Sequence, residues 1–263
     1  IHMDEGLGDT IQFARYLPMV AAQGARVLLL VSDALCPLFA GLAGVSRCLP
    51  LSTGALPPFD AYCPMSGLPF AFGTTIETIP NARSYLPLPP RDRVQAWQDR
   101  LGFRDRLQVG LVWSGNPKHS NDHNRSLPFE LLSSLLGLDA TFVSLQKDVR
   151  PGDRALLGQS GIVDLTDHLT DFAETAALIS CLDLVISVDT SVAHLAAALG
   201  CPTWILLPYT PDYRWLLDRD DSPWYPTARL FRQGAARDYA EVIDRVRSDL
   251  SRLIADWPAE RHP

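Results

Sequence analysis

Five short apolar runs, RVLLLV (26–31), QVGLVW (108–113), TFVSLQ (141–146), LDLVISV (182–188) and TWILLPY (203–209), punctuate the chain. The segments between them carry apolar residues at three- and four-residue spacing, the period of an amphipathic helix. Unbroken apolar runs of this length read as strands buried on both faces, which belong in parallel sheets covered by helices. With 263 residues, 47% of them hydrophobic, the chain can bury the cores of two modest domains. The repeated order of strand, turn and helix therefore predicts an α/β protein of two doubly wound, Rossmann-like parallel-sheet domains facing across a cleft.

Taken in order, Ile11, Ala14, Leu17 and Val20 place a helix over 10–23, stopped at Gly24. A helix-like stretch over 32–44, a short strand at 47–50 and a strand end at 59–64 follow. Eight prolines between 57 and 90 then exclude long regular elements, and a domain edge is expected soon afterwards. Strands at 108–113, 141–146, 182–188 and 203–209 alternate with helices over 127–136, 171–182 and 192–199, the last closed by Gly200. The expected division is 1–100, 101–240, and 241–263 as a C-terminal helix and polar tail. Only residues 1–3 precede Asp4-Glu5, so most of the strand leading into the glycine turn is missing and the chain reads as a piece of a longer protein.

Charge and cysteines narrow the partners. Lys and Arg total 23 against 30 acidic residues, a net charge of −7, so the basic surface of a nucleic-acid binder is not expected. The five cysteines form no C-x-x-C pair, which argues for a reducing compartment and no zinc knuckle. No apolar run reaches the roughly 20 residues that cross a bilayer. The expectation is a cytoplasmic protein, with docking at the inner-membrane surface left open.

Two stretches carry chemistry. In GLGDT, Gly6 and Gly8 permit close backbone approach while Asp9 and Thr10 sit at a helix start. Capping alone would explain Asp9. The third glycine of a dinucleotide fingerprint is absent, because position 11 is Ile. In SVDTSVAHLAAALG, a strand runs into a helix opened by Asp189, Thr190 and Ser191, whose free N–H groups and dipole suit a diphosphate. His194 lies one turn along, within reach of the same anion, although a buried interfacial histidine would look the same.

These stretches also carry a resemblance. EGLGDTIQFARYLP, VGLVWSGNP and SVDTSVAHLAAALGCPTWILLP resemble, in order, the three signature regions of the bacterial heptosyltransferase-like glycosyltransferases (family 9). WSGNPKHSNDHNRSLP, VSLQK and LLDRDDSPWYPTARLFRQ are similar to the branch of that family found behind tetratricopeptide repeats. The resemblance implies a GT-B fold and a metal-independent, inverting transfer of a sugar from a nucleotide-diphosphate donor to an acceptor hydroxyl, with no cofactor. It implies that Asp9 is the general base beside the glycine loop of Gly6, Gly8 and Thr10. The diphosphate would then meet Asp189, Thr190, Ser191, Val192 and His194. The family's basic residue after the second glycine loop falls on Arg125 or Lys118, with Arg125 the first choice because a guanidinium suits phosphate. Trp113, Ser114, Gly115, Gln146, Pro208 and Tyr209 are the candidates for base and sugar contacts. A glycan, lipid-linked glycan or protein is the implied acceptor, recruited by an upstream tetratricopeptide domain.

Asp218-Arg219-Asp220 matches the D-x-D of metal-dependent transferases in letters only and reads as a solvated turn, and no metal is expected at His119 and His123. A non-catalytic nucleotide-sugar-binding module would need Asp189, Thr190 and His194 but not Asp9. An epimerase of the same architecture would need further cleft carboxylates.

Overall fold

The computed structural model describes residues 1–257. The chain runs α1 (Leu7–Phe13), α2 (Leu17–Ala22), β1 (Val27–Val31), β2 (Val45–Pro50), α3 (Leu68–Ala71), α4 (Arg91–Leu101), β3 (Leu107–Val112), α5 (Asp122–Arg125), α6 (Phe129–Leu132), β4 (Ala140–Ser144), α7 (Arg154–Leu157), α8 (Phe172–Ile179), β5 (Leu184–Val188), α9 (Ser191–Ala198), β6 (Thr203–Leu207), β7 (Ala228–Arg232) and α10 (Tyr239–Ala255). Among the described residues every pairing between these strands is parallel, and one isolated antiparallel bridge joins Asp221 to Arg229 of β7. The architecture is α/β with parallel sheets, as the apolar runs require.

The second half holds a five-stranded sheet in the order β4-β3-β5-β6-β7. Its chain order reverses between β3 and β5, where Val112 pairs with Ser187. The loops leaving the carboxyl ends of these two strands therefore diverge to opposite sides and open a crevice, the usual ligand position in such sheets. The first half pairs β1 with β2, and residues 1–3 insert beside β1: Met3 N–H donates to Leu30 O at 2.9 Å and His2 N–H to Cys63 O at 3.1 Å. In the stretch expected as a strand end, only Pro64 joins the sheet among the described residues, by a bridge to His2.

Several local expectations change. The helix expected over 10–23 begins at Leu7 and breaks into α1, a 3-10 turn at Ala14–Tyr16 and α2, with Pro18 in the first turn of α2. Starting at Leu7 puts Gly8 and Asp9 inside the first turn of the helix, not in a loop before it. The stretch 32–44 is a series of turns, because Pro37 supplies no N–H and Gly41 and Gly44 take positive φ angles of 79° and 84°. The helix expected over 127–136 is α6 followed by a 3-10 turn. Strand β7 was not anticipated. The polar tail lies beyond the described residues from 258 onward.

One face of the large sheet packs on α6 and α10 through Val109, Leu111, Ile186, Leu206, Val242, Val246 and Leu250. The other face is covered by α8 and α9, and that core continues through Ala177, Leu195, Trp215 and Tyr225 to Ile11, Tyr16 and Leu29 of the first half. Helix α4, on the first side of the expected boundary, packs on α8, with Trp97 Nε1 donating to Glu174 Oε2 at 2.8 Å. Arg15, 4% exposed, ties three segments together. It donates to Gln12 O, Pro80 O and Trp224 O, and its guanidinium lies 4.6–5.2 Å from the ring centres of Tyr85, Tyr225 and Trp224.

Candidate active site

Helices α1 and α9 bring their N-terminal turns together beside the crevice. Thr190 is the N-cap of α9, extended at φ −141° and ψ 167°, yet no side chain caps the helix. The Thr190 hydroxyl instead sits 3.0 Å from Ser187 Oγ. The first-turn N–H groups, on half-buried Ser191 and Val192, thus remain for a ligand.

On α1, Asp9 Oδ2 accepts from Gly6 N–H at 3.0 Å, closing the helix start on itself. This is the capping role that the sequence allowed. The other oxygen, Oδ1, accepts from Arg214 Nη2 at 2.6 Å across the junction between the halves. Thr10 is 1% exposed, with its hydroxyl returned to Gly6 O, so it supports the turn and does not line the crevice.

Arg214 was not anticipated. It follows β6 in a turn capped by Asp212, whose Oδ1 accepts from Arg214 Nε at 2.7 Å, while Nη1 donates to Gln12 Oε1 at 3.0 Å. Burial opposes its charge, but the bond to Asp212 and the charges of Asp9, Asp212 and Asp189 more than offset this and raise its pKa further. Nothing in the sequence separates this arginine from the others, since its partners Asp9 and Gln12 lie 205 and 202 positions away.

His194 is 3% exposed. Its Nδ1 lies 2.7 Å from the Tyr225 hydroxyl, its Nε2 lies 3.7 Å from Asp189 Oδ1 and 3.5 Å from Arg214 Nη1, and its ring stacks on Trp215 at 5.4 Å. Gly8 closes over it: a Cβ there would stand 2.7 Å from His194 Cδ2. The imidazole therefore acts inside the helix junction, under Gly8. Burial, with Arg214 adding to it, lowers its pKa against the pull of Asp189 and Asp9, so the ring is neutral at pH 7. Asp189 stays ionised, because contact with His194 and the charge of Arg214 outweigh its burial.

A neutral buried histidine has a pH signature. Unfolded histidine titrates near 6.5 and native His194 below it, so between the two values the unfolded state binds the extra proton and stability falls as pH drops. The unfolding midpoint is expected to decline as the pH falls below about 6.5, and His194→Gln to flatten that decline. A wild-type midpoint that stayed constant there would contradict the assignment.

The loop after β3 forms the other wall. Trp113 and Ser114 donate backbone N–H groups to Gln146 Oε1 at 3.1 and 2.9 Å, and Gly115 N–H donates to Ser126 Oγ at 2.9 Å. Arg125 lies against Gly115 so closely that a Cβ there would be 2.9 Å from Nε and Nη2. Its Nε is buried without a hydrogen-bond partner and stands 3.9 Å from Asp122 Oδ1. Asp122 already accepts from Ser126 and Arg150, so two arginines share one carboxylate and the wall keeps a positive excess. Lys118 is exposed further out on the loop.

Among the suggested base and sugar contacts, three side chains face inward. The Trp113 indole is fully buried, packs 4.9 Å from Phe129 and donates to Asp153 Oδ2, so it belongs to the core. Gln146, 5% exposed, spends its amide on the loop backbone, and Pro208 is buried. Ser114 keeps a buried hydroxyl without a partner, and Tyr209 is exposed beneath Arg237. Among the described residues no cluster of three metal-ligating side chains exists; Arg219 pairs with Asp221 in the D-x-D stretch, and His119 Nδ1 accepts from Asn121 N–H. No helix of the described residues is long and apolar enough to cross a membrane.

Comparison with known proteins bears on the fold and on the second half of the chain. Residues 162–242, which include Asp189, His194 and Arg214, match the family model for glycosyltransferase family 9 (heptosyltransferase). Protein FlbA of Caulobacter vibrioides is 28% identical over 259 residues, covering 88% of this chain and 42% of FlbA, so the chain spans less than half the length of that relative. The solved E. coli ADP-heptose lipopolysaccharide heptosyltransferase II matches 97% of each chain with a TM-score of 0.64 at 16% identity. E. coli heptosyltransferase WaaC, solved with ADP-2-deoxy-2-fluoro heptose, matches 95% of this chain and 98% of its own with a TM-score of 0.59 at 13% identity. The chain thus has the fold of the heptosyltransferases over nearly its whole length, and its segment 162–242 carries the glycosyltransferase family 9 (heptosyltransferase) signature.

Proposed function

We propose that the chain is a glycosyltransferase that moves a sugar from a nucleotide-diphosphate donor to an acceptor hydroxyl, with inversion and without a metal ion. The observation that carries this reading is the packing of the first turn of α1, which holds Asp9, against the uncapped first turn of α9, with Gly8 on the His194 ring. In the proposed step the acceptor hydroxyl gives its proton to Asp9 as its oxygen attacks the anomeric carbon. The bond to the diphosphate breaks on the opposite side, and its electron pair leaves with the diphosphate. A single displacement of this kind inverts the anomeric centre. The leaving group would settle on the N–H groups of Ser191 and Val192 and on the exposed part of the Arg125 guanidinium, whose charge Asp122 shares with Arg150; such fixed donors can replace a metal.

ADP-2-deoxy-2-fluoro heptose bound to WaaC makes an ADP-sugar the first donor to try. The acceptor, a glycan, lipid-linked glycan or protein, would be delivered by a tetratricopeptide domain in a longer parent protein, at or near the inner-membrane surface on the cytoplasmic side. A binding module without turnover is the second reading, favoured by one observation: both Asp9 oxygens already have partners.

Thermal unfolding with ADP, UDP, GDP and CMP, each with magnesium or with EDTA, tests the donor site. One diphosphate is expected to stabilise the protein saturably and indifferently to magnesium, by about 2.7 kcal/mol at 100 times its Kd, and Arg125→Ala to remove most of that gain. A folded protein that binds none of them would end both readings.

A further inference from the structure

We infer that Arg214 is the positioning residue for Asp9, and that through it the readiness of the base depends on the two halves being packed together. The inference rests on the transferase reading above and deepens it.

Each partner is anchored first on its own side. Arg214 is held by Asp212, two residues away, which accepts from both its backbone N–H and its Nε. Asp9 is held by Gly6, three residues away. The two groups point at one another only because α1 lies on α9, with Gly8 against the His194 ring. The remaining arm of the guanidinium bonds Gln12 Oε1, one helical turn beyond Asp9 on the same face of α1. A planar fork satisfies Asp212, Gln12 and Asp9 from three separate nitrogens, whereas an ammonium would have to reach all three acceptors from one point. Gln12 accepts this bond while its own Nε2 stays buried without a partner, so the contact is kept at a cost to α1. The ion pair is sheltered, with side chains 10% and 21% exposed. Separating α1 from α9 would leave Arg214 on Asp212 and let the Asp9 carboxylate rotate about its single remaining tether. A base misplaced by an ångström loses much of its rate.

Arg214→Ala, Arg214→Lys, Asp9→Ala and the Asp9→Ala/Arg214→Ala double variant, all in the full chain, test this. Arg214→Ala is expected to lower kcat about 100-fold while diphosphate affinity and donor KM stay within about threefold. Added guanidinium chloride at low millimolar concentration should restore part of kcat in Arg214→Ala and none in wild type, and Arg214→Lys should recover little. The unfolding midpoints form a cycle that needs no turnover: the double variant should lose less than the sum of the two single variants, since Asp9→Ala then removes only the bond to Gly6. Additive losses, or a kcat defect that guanidinium leaves untouched, would overturn the inference. If wild type binds no donor and transfers no sugar while the cycle is non-additive, the transferase reading fails and the coupling of Asp9 to Arg214 stands.

Discussion

Asp9→Asn is expected to lower sugar transfer by about 10²- to 10⁴-fold while leaving diphosphate binding unchanged. Asparagine keeps the size of the side chain and an oxygen for Arg214 or Gly6, but it cannot take the acceptor proton. The change also stays outside the diphosphate wall proposed for α9 and Arg125. Arg214 retains Asp212 and Gln12 in the variant, so the unfolding midpoint should move little. Steady-state rates and calorimetric titration on the same preparation separate the two effects. An asparagine variant that keeps more than a tenth of kcat would remove Asp9 from the role of base. Equal diphosphate binding in both proteins with transfer in neither would leave the non-catalytic module.

Gly8→Ala should damage stability and turnover together. The added methyl would stand 2.7 Å from Cδ2 and 3.3 Å from Nε2 of His194, a ring pinned by Tyr225 on one side and Trp215 on the other. The ring has nowhere to go, so α1 must move off α9, which costs about 1–3 kcal/mol by the usual scale of overpacking. The same movement would stretch the contact between Asp9 and Arg214. Gly6→Ala is the control: its methyl meets only the carboxylate end of Asp9, at 2.9 Å, not a ring wedged between two others, and should cost less stability. Chemical denaturation reads the first effect and kcat the second. A Gly8→Ala protein with wild-type stability would mean that the two helices do not pack this tightly.

The glycines of GLGDT thus have different tasks from those the sequence suggested. Gly8 is needed for helix-to-helix contact inside α1, while the expected loop does not exist. The parallel strands were legible because a strand buried on both faces has little choice but to be continuously apolar, and DTSVAH was legible because strand, turn and helix start are local. The broken helix at 7–22 and the turns at 32–44 were not, since isolated prolines and glycines can punctuate or end a helix. Trp113 looked like a ligand contact through its neighbours in sequence, and only the packing of Phe129 and Asp153 shows that its ring points inward. Arg214 could not be found at all: its three acceptors are Asp212 nearby and two α1 residues some two hundred positions upstream.

Arg15 has a consequence for how such a chain can be shuffled by recombination. Its charge meets no carboxylate; it is satisfied by carbonyls and aromatic faces supplied by α1, by the proline-rich stretch near Pro80 and Tyr85, and by Trp224 and Tyr225 from beyond residue 220. A graft that exchanged residues 1–100 for those of a distant relative would remove Arg15, and its replacement would need an arginine at the same place to meet Trp224 O and the faces of Trp224 and Tyr225. Exchange at this junction is therefore constrained by one side chain, even though the two sheets look separable on paper.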